Sequence, residues 1–330
     1  MPPAHPAAPP RLPIDPLLPE LCARLKEAGC AVLPAPPGAG KTTRVPPALL
    51  ALYPRGRLLM LEPRRLAARA AAQRMADERG EALGHTQGYR MRGESALSKA
   101  TRIEVITEGV LTRLLQSDPE LPGVACIIFD EFHERSLQAD LGLALSWEVR
   151  QTLRPDLGIV VMSATLDAQP VADLLGGAPV LTAEGRSYPV EISHLSAPRP
   201  KSERLEPFVA RHIETCLDDA EGSLLCFLPG EAEIRRTAAA LTVPSGVDVL
   251  PLYGALSFAA QRRALAPAPR RKGILATSIA ETSLTIEDIR IVVDAGLARR
   301  SRFDPGSGFS RLVTERVTQA EAAQLEGGEK

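Results

Sequence analysis

The stretch Ala35-Pro36-Pro37-Gly38-Ala39-Gly40-Lys41-Thr42-Thr43 brings together residue types that could grip a polyphosphate. It stands between a short apolar run, Cys30-Ala31-Val32-Leu33, and a helix-compatible stretch from Arg44 to Tyr53. Strand, Gly-rich loop and helix in that order are the context of a phosphate-binding loop. Gly38 and Gly40 let the backbone curl so that successive N–H groups face phosphate oxygens. The following helix adds the positive end of its dipole. Lys41 reaches the β- and γ-phosphates, and Thr42 offers a hydroxyl to Mg²⁺. The full pattern asks for Gly where Ala35 stands, so the signal rests on Gly38, Ala39, Gly40, Lys41, Thr42 and Thr43. By itself the stretch is also readable as a Pro/Gly turn before Lys-Thr.

A second group of residues answers the first. Val124-Ala125-Cys126-Ile127-Ile128-Phe129 is a continuous apolar run, followed directly by Asp130-Glu131-Phe132-His133-Glu134-Arg135. A strand buried on both faces and ending in two acids sets Asp130 near a nucleotide-bound Mg²⁺. It sets Glu131 where it can orient and deprotonate an attacking water. Taken alone, two acids after a strand are ordinary polar capping, and His133 reads as a surface histidine. Paired with the upstream loop, the acids read as catalytic. Cys126 is expected to be a small core residue.

The elements that position these groups follow from the pattern of apolar runs. Leu17, Leu18, Leu21 and Leu25 have helical spacing. Residues 57–62 form a buried strand stopped by Pro63, and a basic helix with Arg64, Arg65, Arg69 and Arg74 among alanines opens there. Those arginines are either a solvated helix face or a grip on a phosphate backbone. Residues 103–106 read as a strand with Thr107-Glu108-Gly109 at its end, and 157–162 as a strand ending in Ser163-Ala164-Thr165. Active residues at the C-terminal ends of β-α repeats are the arrangement of an open parallel sheet. A Gly-, Pro- and Ser-rich stretch, 176–204, separates this lobe from a second βα series with strands at 224–228, 247–252, 273–276 and 289–293. The turn cluster 304–308 predicts a β-hairpin over 301–313. The first lobe is expected at 14–195 and the second at 196–330.

Composition bounds the rest. A chain of 330 residues, 45% apolar and 24% charged, has the make-up of a soluble globular protein of two ordinary domains. Prolines crowd the start, so residues 1–13 are expected to be a disordered or polyproline-like tail; it has no basic start or apolar core, unlike a signal peptide. No apolar stretch approaches the ~18 residues of a membrane span. Five cysteines without C-x-x-C spacing fit a reducing cytoplasm. A net charge of −1 leaves nucleic-acid binding open, because binding depends on local patches.

With these blocks in order the chain resembles the DEAH-box branch of superfamily 2 helicases, the bacterial HrpB group above all. Residues 38–43 match the family's motif I, Glu62-Pro63-Arg64-Arg65 motif Ia, and Thr107-Glu108-Gly109 motif Ib. Asp130-Glu131-Phe132-His133 matches motif II and Ser163-Ala164-Thr165 motif III. Residues 225–230 match motif IV and residues 276–286 motif V, with Ser278 where the family usually has Asn. The resemblance implies an α/β fold of two tandem RecA-like P-loop NTPase domains with mainly parallel sheets, the second of them incomplete. It implies ATP and Mg²⁺ as cofactors, with Thr42, Asp130 and Glu131 as the metal-side oxygens and His133 joining Lys41, Asp130 and Glu131 in catalysis. It implies single-stranded or partly duplex nucleic acid as partner, RNA before DNA, held by Arg64, Arg65, Thr107, Gly109 and Thr277. A monomer translocating 3′-to-5′ is the expected form. Gln324 stands where motif VI would begin, and its arginines do not follow. Two rivals to a helicase motor are therefore a catalytically weak remnant that binds nucleotide and nucleic acid, and a P-loop ATPase that remodels proteins.

Overall fold

The computed structural model describes residues 11–164, 168–183, 190–278, 286, 288–318 and 322. The chain divides into two compact units, Met1–Ser187 and Tyr188–Lys330.

In the first unit the strands are β1 (Cys30–Pro34), β2 (Arg57–Glu62), β3 (Gln87–Met91), β4 (Glu94–Ala96), β5 (Ile103–Thr107), β6 (Val124–Phe129) and β7 (Gly158–Ser163). They form one sheet in the order β1-β7-β6-β2-β5-β3-β4, parallel throughout except for the antiparallel β3–β4 pair at its edge. The helices are α1 (Leu18–Ala28), α2 (Lys41–Leu52), α3 (Arg65–Arg79), α4 (Glu108–Ser117), α5 (Leu137–Thr152) and α6 (Ala168–Leu174). Successive strand residues point to opposite faces, so a strand covered on both sides must be apolar at nearly every position. β6 and β7 obey this rule, and one core forms on each face of the sheet. One contains Met60, Cys126 and Ile128, the other Leu59, Ile127 and Phe129. Phe129 is almost fully buried, and truncating it to Ala is expected to cost about 3–5 kcal/mol.

Two local features hold the ends of this sheet. Gly29 ends α1 with φ +73°, and a Cβ there would lie 1.9 Å from a guanidinium nitrogen of Arg150. That guanidinium donates to the carbonyls of Ala28, Pro155 and Leu157, tying α5 to the start of β1. Leu12, inside the stretch expected to be tail, packs beside Gly40, and the Ile14 N–H donates to the Ala39 carbonyl at 3.1 Å.

The second unit has a parallel sheet in the order β11-β8-β10-β9, made of β8 (Ser223–Phe227), β9 (Val247–Leu252), β10 (Arg271–Ala276) and β11 (Ile289–Asp294). Helices α7 (Leu205–Asp219), α8 (Glu231–Ala240) and α9 (Phe258–Leu265) accompany it. Val209, Ile213, Leu224, Cys226 and Ile234 share its core. A separate antiparallel pair, β12 (Leu297–Asp304) and β13 (Phe309–Arg316), forms the hairpin. It is longer than the expected 301–313, because the turn residues mark only its tip while its arms carry many exposed polar side chains. Helix α7 was not legible as an element in the sequence, although Val209, Ile213 and Leu217 bury one face of it.

Candidate nucleotide site and nucleic-acid edge

The phosphate-binding loop leaves β1 and turns into α2 through Gly38 at φ +72° and Gly40 at φ +93°, the left-handed conformations that glycine adopts without steric cost. Ala35, where the full pattern has Gly, needs no such freedom. Its methyl is buried in the core and its N–H donates to the Ser163 carbonyl at the end of β7, 2.9 Å away. The buried Lys41 ammonium sits above the loop, donating to the carbonyls of Ala35 at 2.7 Å and Pro36 at 3.3 Å. Thr42 and Thr43 occupy the first turn of α2.

β1 and β6 flank β7, so the loop after β1 and the acids after β6 emerge at the same sheet edge. The Thr42 hydroxyl donates to Asp130 Oδ2 at 2.6 Å, and Asp130 Oδ1 accepts the Glu131 N–H at 2.9 Å. Glu131 has φ +51°, a left-handed backbone that is rare for a residue with a side chain and is held by its surroundings. The Ala164 N–H donates to His133 Nδ1 at 3.3 Å, which leaves the proton of the neutral ring on Nε2. Burial lowers the His133 pKa and favours that neutral ring. Glu131 Oε2 lies 3.4 Å from the same Nδ1, a polar contact and no ion pair while the ring is neutral. Thr165, the last residue of the third motif, lies outside the described residues.

The electrostatics of the cluster are lopsided. Asp130 is pushed up by burial, against the opposing pull of Lys41 and the Thr42 hydroxyl. Glu131 is pushed up to about 8, by burial first and by Asp130 second. Glu62, at the end of β2, was not among the expected site residues, yet burial and the charges of Asp130, Glu131 and Glu134 raise it well above the usual carboxylate range. Both its carboxyl oxygens are buried without a hydrogen-bond partner. The signal was available: Glu62 is the last residue of a buried parallel strand beside β6. Buried acids facing one buried ammonium favour a divalent cation, and a hydroxyl beside a carboxylate is the hard oxygen pair that Mg²⁺ takes from protein. Among the described residues no cluster of three or more His, Cys, Asp or Glu side chains could cage a metal by itself.

The expected nucleic-acid residues of the first unit share one edge. Glu62 stands opposite Thr107 in the β2–β5 register, so Arg64 and Gly109 each follow two residues past the same level. Thr107 immediately precedes α4, its side chain making no capping bond, and Gly109 is exposed within the helix's first turn. Arg64 precedes α3 and pairs with Glu134 at 3.6 Å. Arg65 donates to the Arg92 carbonyl at 3.2 Å and pairs with Glu94 at 3.5 Å; Arg69 pairs with Glu94 and Arg74 with Glu78. Glu94 was not legible as a partner of Arg65 and Arg69, because β4, which carries it, is only three residues long. Thr277 follows β10 in the second unit, its N–H donating to the Leu252 carbonyl at 3.1 Å. Most of the fifth motif, residues 279–285, lies outside the described residues.

A phosphate-binding loop, a hydroxyl–carboxylate pair and a parallel sheet that sets them side by side define a P-loop nucleotide-binding protein. Residues 20–174 match the family model of the DEAD/DEAH box helicases. The chain is 53% identical to the ATP-dependent RNA helicase HrpB of Escherichia coli, over 96% of this chain and 39% of that protein. It is 35% identical to the human ATP-dependent RNA helicase DHX33, over 96% of this chain and 47% of that protein. The crystal structure of the Escherichia coli DEAH/RHA helicase HrpB superposes with a TM-score of 0.89 at 52% identity, covering 96% of this chain and 41% of that one. Residues 20–174 are a DEAD/DEAH-box helicase domain, and the chain has the RecA-like α/β fold of these relatives. It spans less than half the length of these relatives.

Proposed function

We propose that the chain is the ATP-hydrolysing core of an RNA helicase motor, which couples turnover to 3′-to-5′ movement along a strand. The observation that carries this reading is the 2.6 Å contact between the Thr42 hydroxyl and Asp130, with Lys41 and Glu131 at the same sheet edge. Lys41 exchanges its two carbonyl partners for the β- and γ-phosphates of ATP, for which the loop amides and the α2 dipole supply further donors. Mg²⁺, when bound, would supply positive charge to the phosphates. Thr42 and Asp130 would hold it, with Glu131 beside them. Glu131 takes the proton of the attacking water as a carboxylate, the form that the charge of bound Mg²⁺ would favour. His133, its ring fixed by the Ala164 N–H, joins Lys41, Asp130 and Glu131 in the catalytic group.

Arg64, Arg65, Thr107 and Gly109 hold the phosphates of a single strand, and Thr277 does the same in the second unit. RNA is the favoured nucleic acid, since the relatives above are named RNA helicases. The β12–β13 hairpin meets the duplex and parts it. The working form is a monomer, and five free cysteines support a cytoplasmic setting. Among the described residues no helix is long and apolar enough to cross a membrane.

ATP turnover measured with and without poly-RNA tests the reading. Turnover that rises with RNA supports it. Turnover that ignores RNA sinks it in favour of a protein remodeller, and ATP binding without turnover in favour of a weak remnant.

A further inference from the structure

We propose that Glu233 and Arg299 form a lock that sets the angle at which the β12–β13 hairpin leaves the second unit, with Glu233 as a positioning residue. The functional half of this proposal rests on the reading in which the hairpin meets nucleic acid.

A two-stranded ribbon has little of its own to fix its direction. Phe303, Phe309 and Leu312 are largely exposed, so apolar packing does not pin its outer part. The ribbon leaves β11 through Ala295 and Gly296, the latter at φ +70° with its N–H on Asp294 Oδ1. Arg299, the third residue of β12, turns back from the ribbon toward α8. Its guanidinium lies 3.3 Å from Glu233 Oε1, and the same oxygen accepts from Arg236 at 2.9 Å. Arg236 in turn bonds the buried Glu206 of α7 at 2.5 Å. Charge therefore runs from α7 through α8 to the root of the hairpin.

Two features show that the contact is built. Glu233 occupies the third position of α8, where the helix dipole favours a carboxylate. Arg299 also lies against Gly230: a Cβ there would be 2.7 Å from its NH1 and 2.9 Å from Glu233 Oε2. The backbone at Gly230 is ordinary extended chain, φ −170°, so it is room for the guanidinium that glycine supplies there. Glu233 Oε2 is buried with no hydrogen-bond partner, which leaves the two arginines on Oε1 to orient the carboxylate. Arg299 is partly exposed, so the pair biases an angle and does not hold the fold together.

The test places spin labels, introduced as unnatural amino acids, on Ser307 in the hairpin turn and Ala240 at the end of α8. The 330-residue chain is used throughout. The parent chain should give a narrow distance distribution. Glu233→Ala and Arg299→Ala should each raise the population outside the main peak by about fivefold, the scale of a half-exposed ion pair. The double variant should be no broader than either single one, as expected for two halves of one contact. Gly230→Ala, which pushes the guanidinium aside without changing any charge, should broaden the distribution in the same way. It keeps the test decisive should Glu233→Ala fold poorly. Distributions as narrow as the parent's in Glu233→Ala and Gly230→Ala would overturn the lock. A second arm uses an RNA duplex with a single-stranded 3′ extension. Glu233→Ala should keep parental RNA-stimulated ATP turnover while strand separation falls about fivefold. Equal losses of both activities would make Glu233 merely structural and would overturn its positioning role. A parent chain that neither responds to RNA nor separates strands would defeat the functional reading, and the label distances would still decide the lock.

Discussion

The Thr42 hydroxyl donates to Asp130 across 2.6 Å, joining the first turn of α2 to the end of β6 although the two residues are 88 positions apart in the chain. Both oxygens belong to groups that bind Mg²⁺ well, and together they would offer it two protein ligands. Thr42→Val keeps the shape and removes the oxygen. We expect it to weaken nucleotide binding about tenfold in the presence of Mg²⁺ and hardly at all in its absence, a difference of about 1.4 kcal/mol. Titration of a fluorescent ATP analogue with and without EDTA checks this, and equal losses in both conditions would count against the assignment.

Lys41 and Glu131 should fail in different ways. Lys41→Ala removes the buried charge that faces the phosphates and should abolish measurable ATP binding. Glu131→Gln should bind ATP about as well as the parent and lose turnover by at least about 10²-fold, the usual scale for a lost general base. Binding and single-turnover measurements separate the two. Much weaker ATP binding by Glu131→Gln would show that the acid holds nucleotide and does not act on water.

Arg64 and Arg65 already have acidic partners in Glu134 and Glu94. If they also neutralise RNA phosphates, Arg64→Ala/Arg65→Ala should flatten the slope of log K against log salt by about one unit per lost contact, at every RNA sequence tried. An unchanged slope would return both arginines to their intramolecular ion pairs.

Glu81 offers a pH-dependent readout away from the site. It follows α3 and accepts from the Thr86 N–H, with His85 and Arg79 alongside. The Thr86 side chain foremost, then His85, Arg79 and the Thr86 N–H, hold its pKa down at about 2 in the fold, against 4.5 for the free side chain. The folded state therefore favours the carboxylate. The stabilisation is full above the unfolded value, fades as pH falls below it, and is gone once the folded value is passed. Discounted for solvent exposure, it amounts to about 1 kcal/mol. Glu81→Gln should melt a few degrees lower than the parent near neutral pH, and the gap should shrink between about pH 5 and pH 3. A constant gap across that range would show that the charge of Glu81 contributes nothing.

The sequence was most legible where strands are parallel and buried on both faces. Residues 124–129 and 157–162 had to be continuous apolar runs, and the residues just past them had to lie together at one edge. That logic brings Thr42, Asp130 and Glu131 into one place without any knowledge of side-chain contacts. It was least legible where apolar spacing is weak. Strand β3 and the edge strand β4 hold Gln, Gly, Arg, Glu and Ser among few apolar residues, so neither they nor Glu94 stood out. The pairing of Arg299 with Glu233 was equally hidden, since 66 residues separate the partners and arginines entering a hairpin suggest nucleic acid first.

β2 has β6 on one side and β5 on the other, so the strand that ends before Arg64 neighbours both the hydrolytic acids and the Thr107 edge. At about 4.8 Å between strands, the two activities proposed here lie within two strand spacings. The Arg64–Glu134 pair adds a direct link, because a strand phosphate that recruits Arg64 must compete with a carboxylate that already acts on the Glu131 charge. Thermodynamic reciprocity then constrains the proposed motor. Any gain in ATP affinity on binding a strand must be matched, by the same factor, in strand affinity on binding ATP, and no substitution at Arg64 can alter one side of that relation alone.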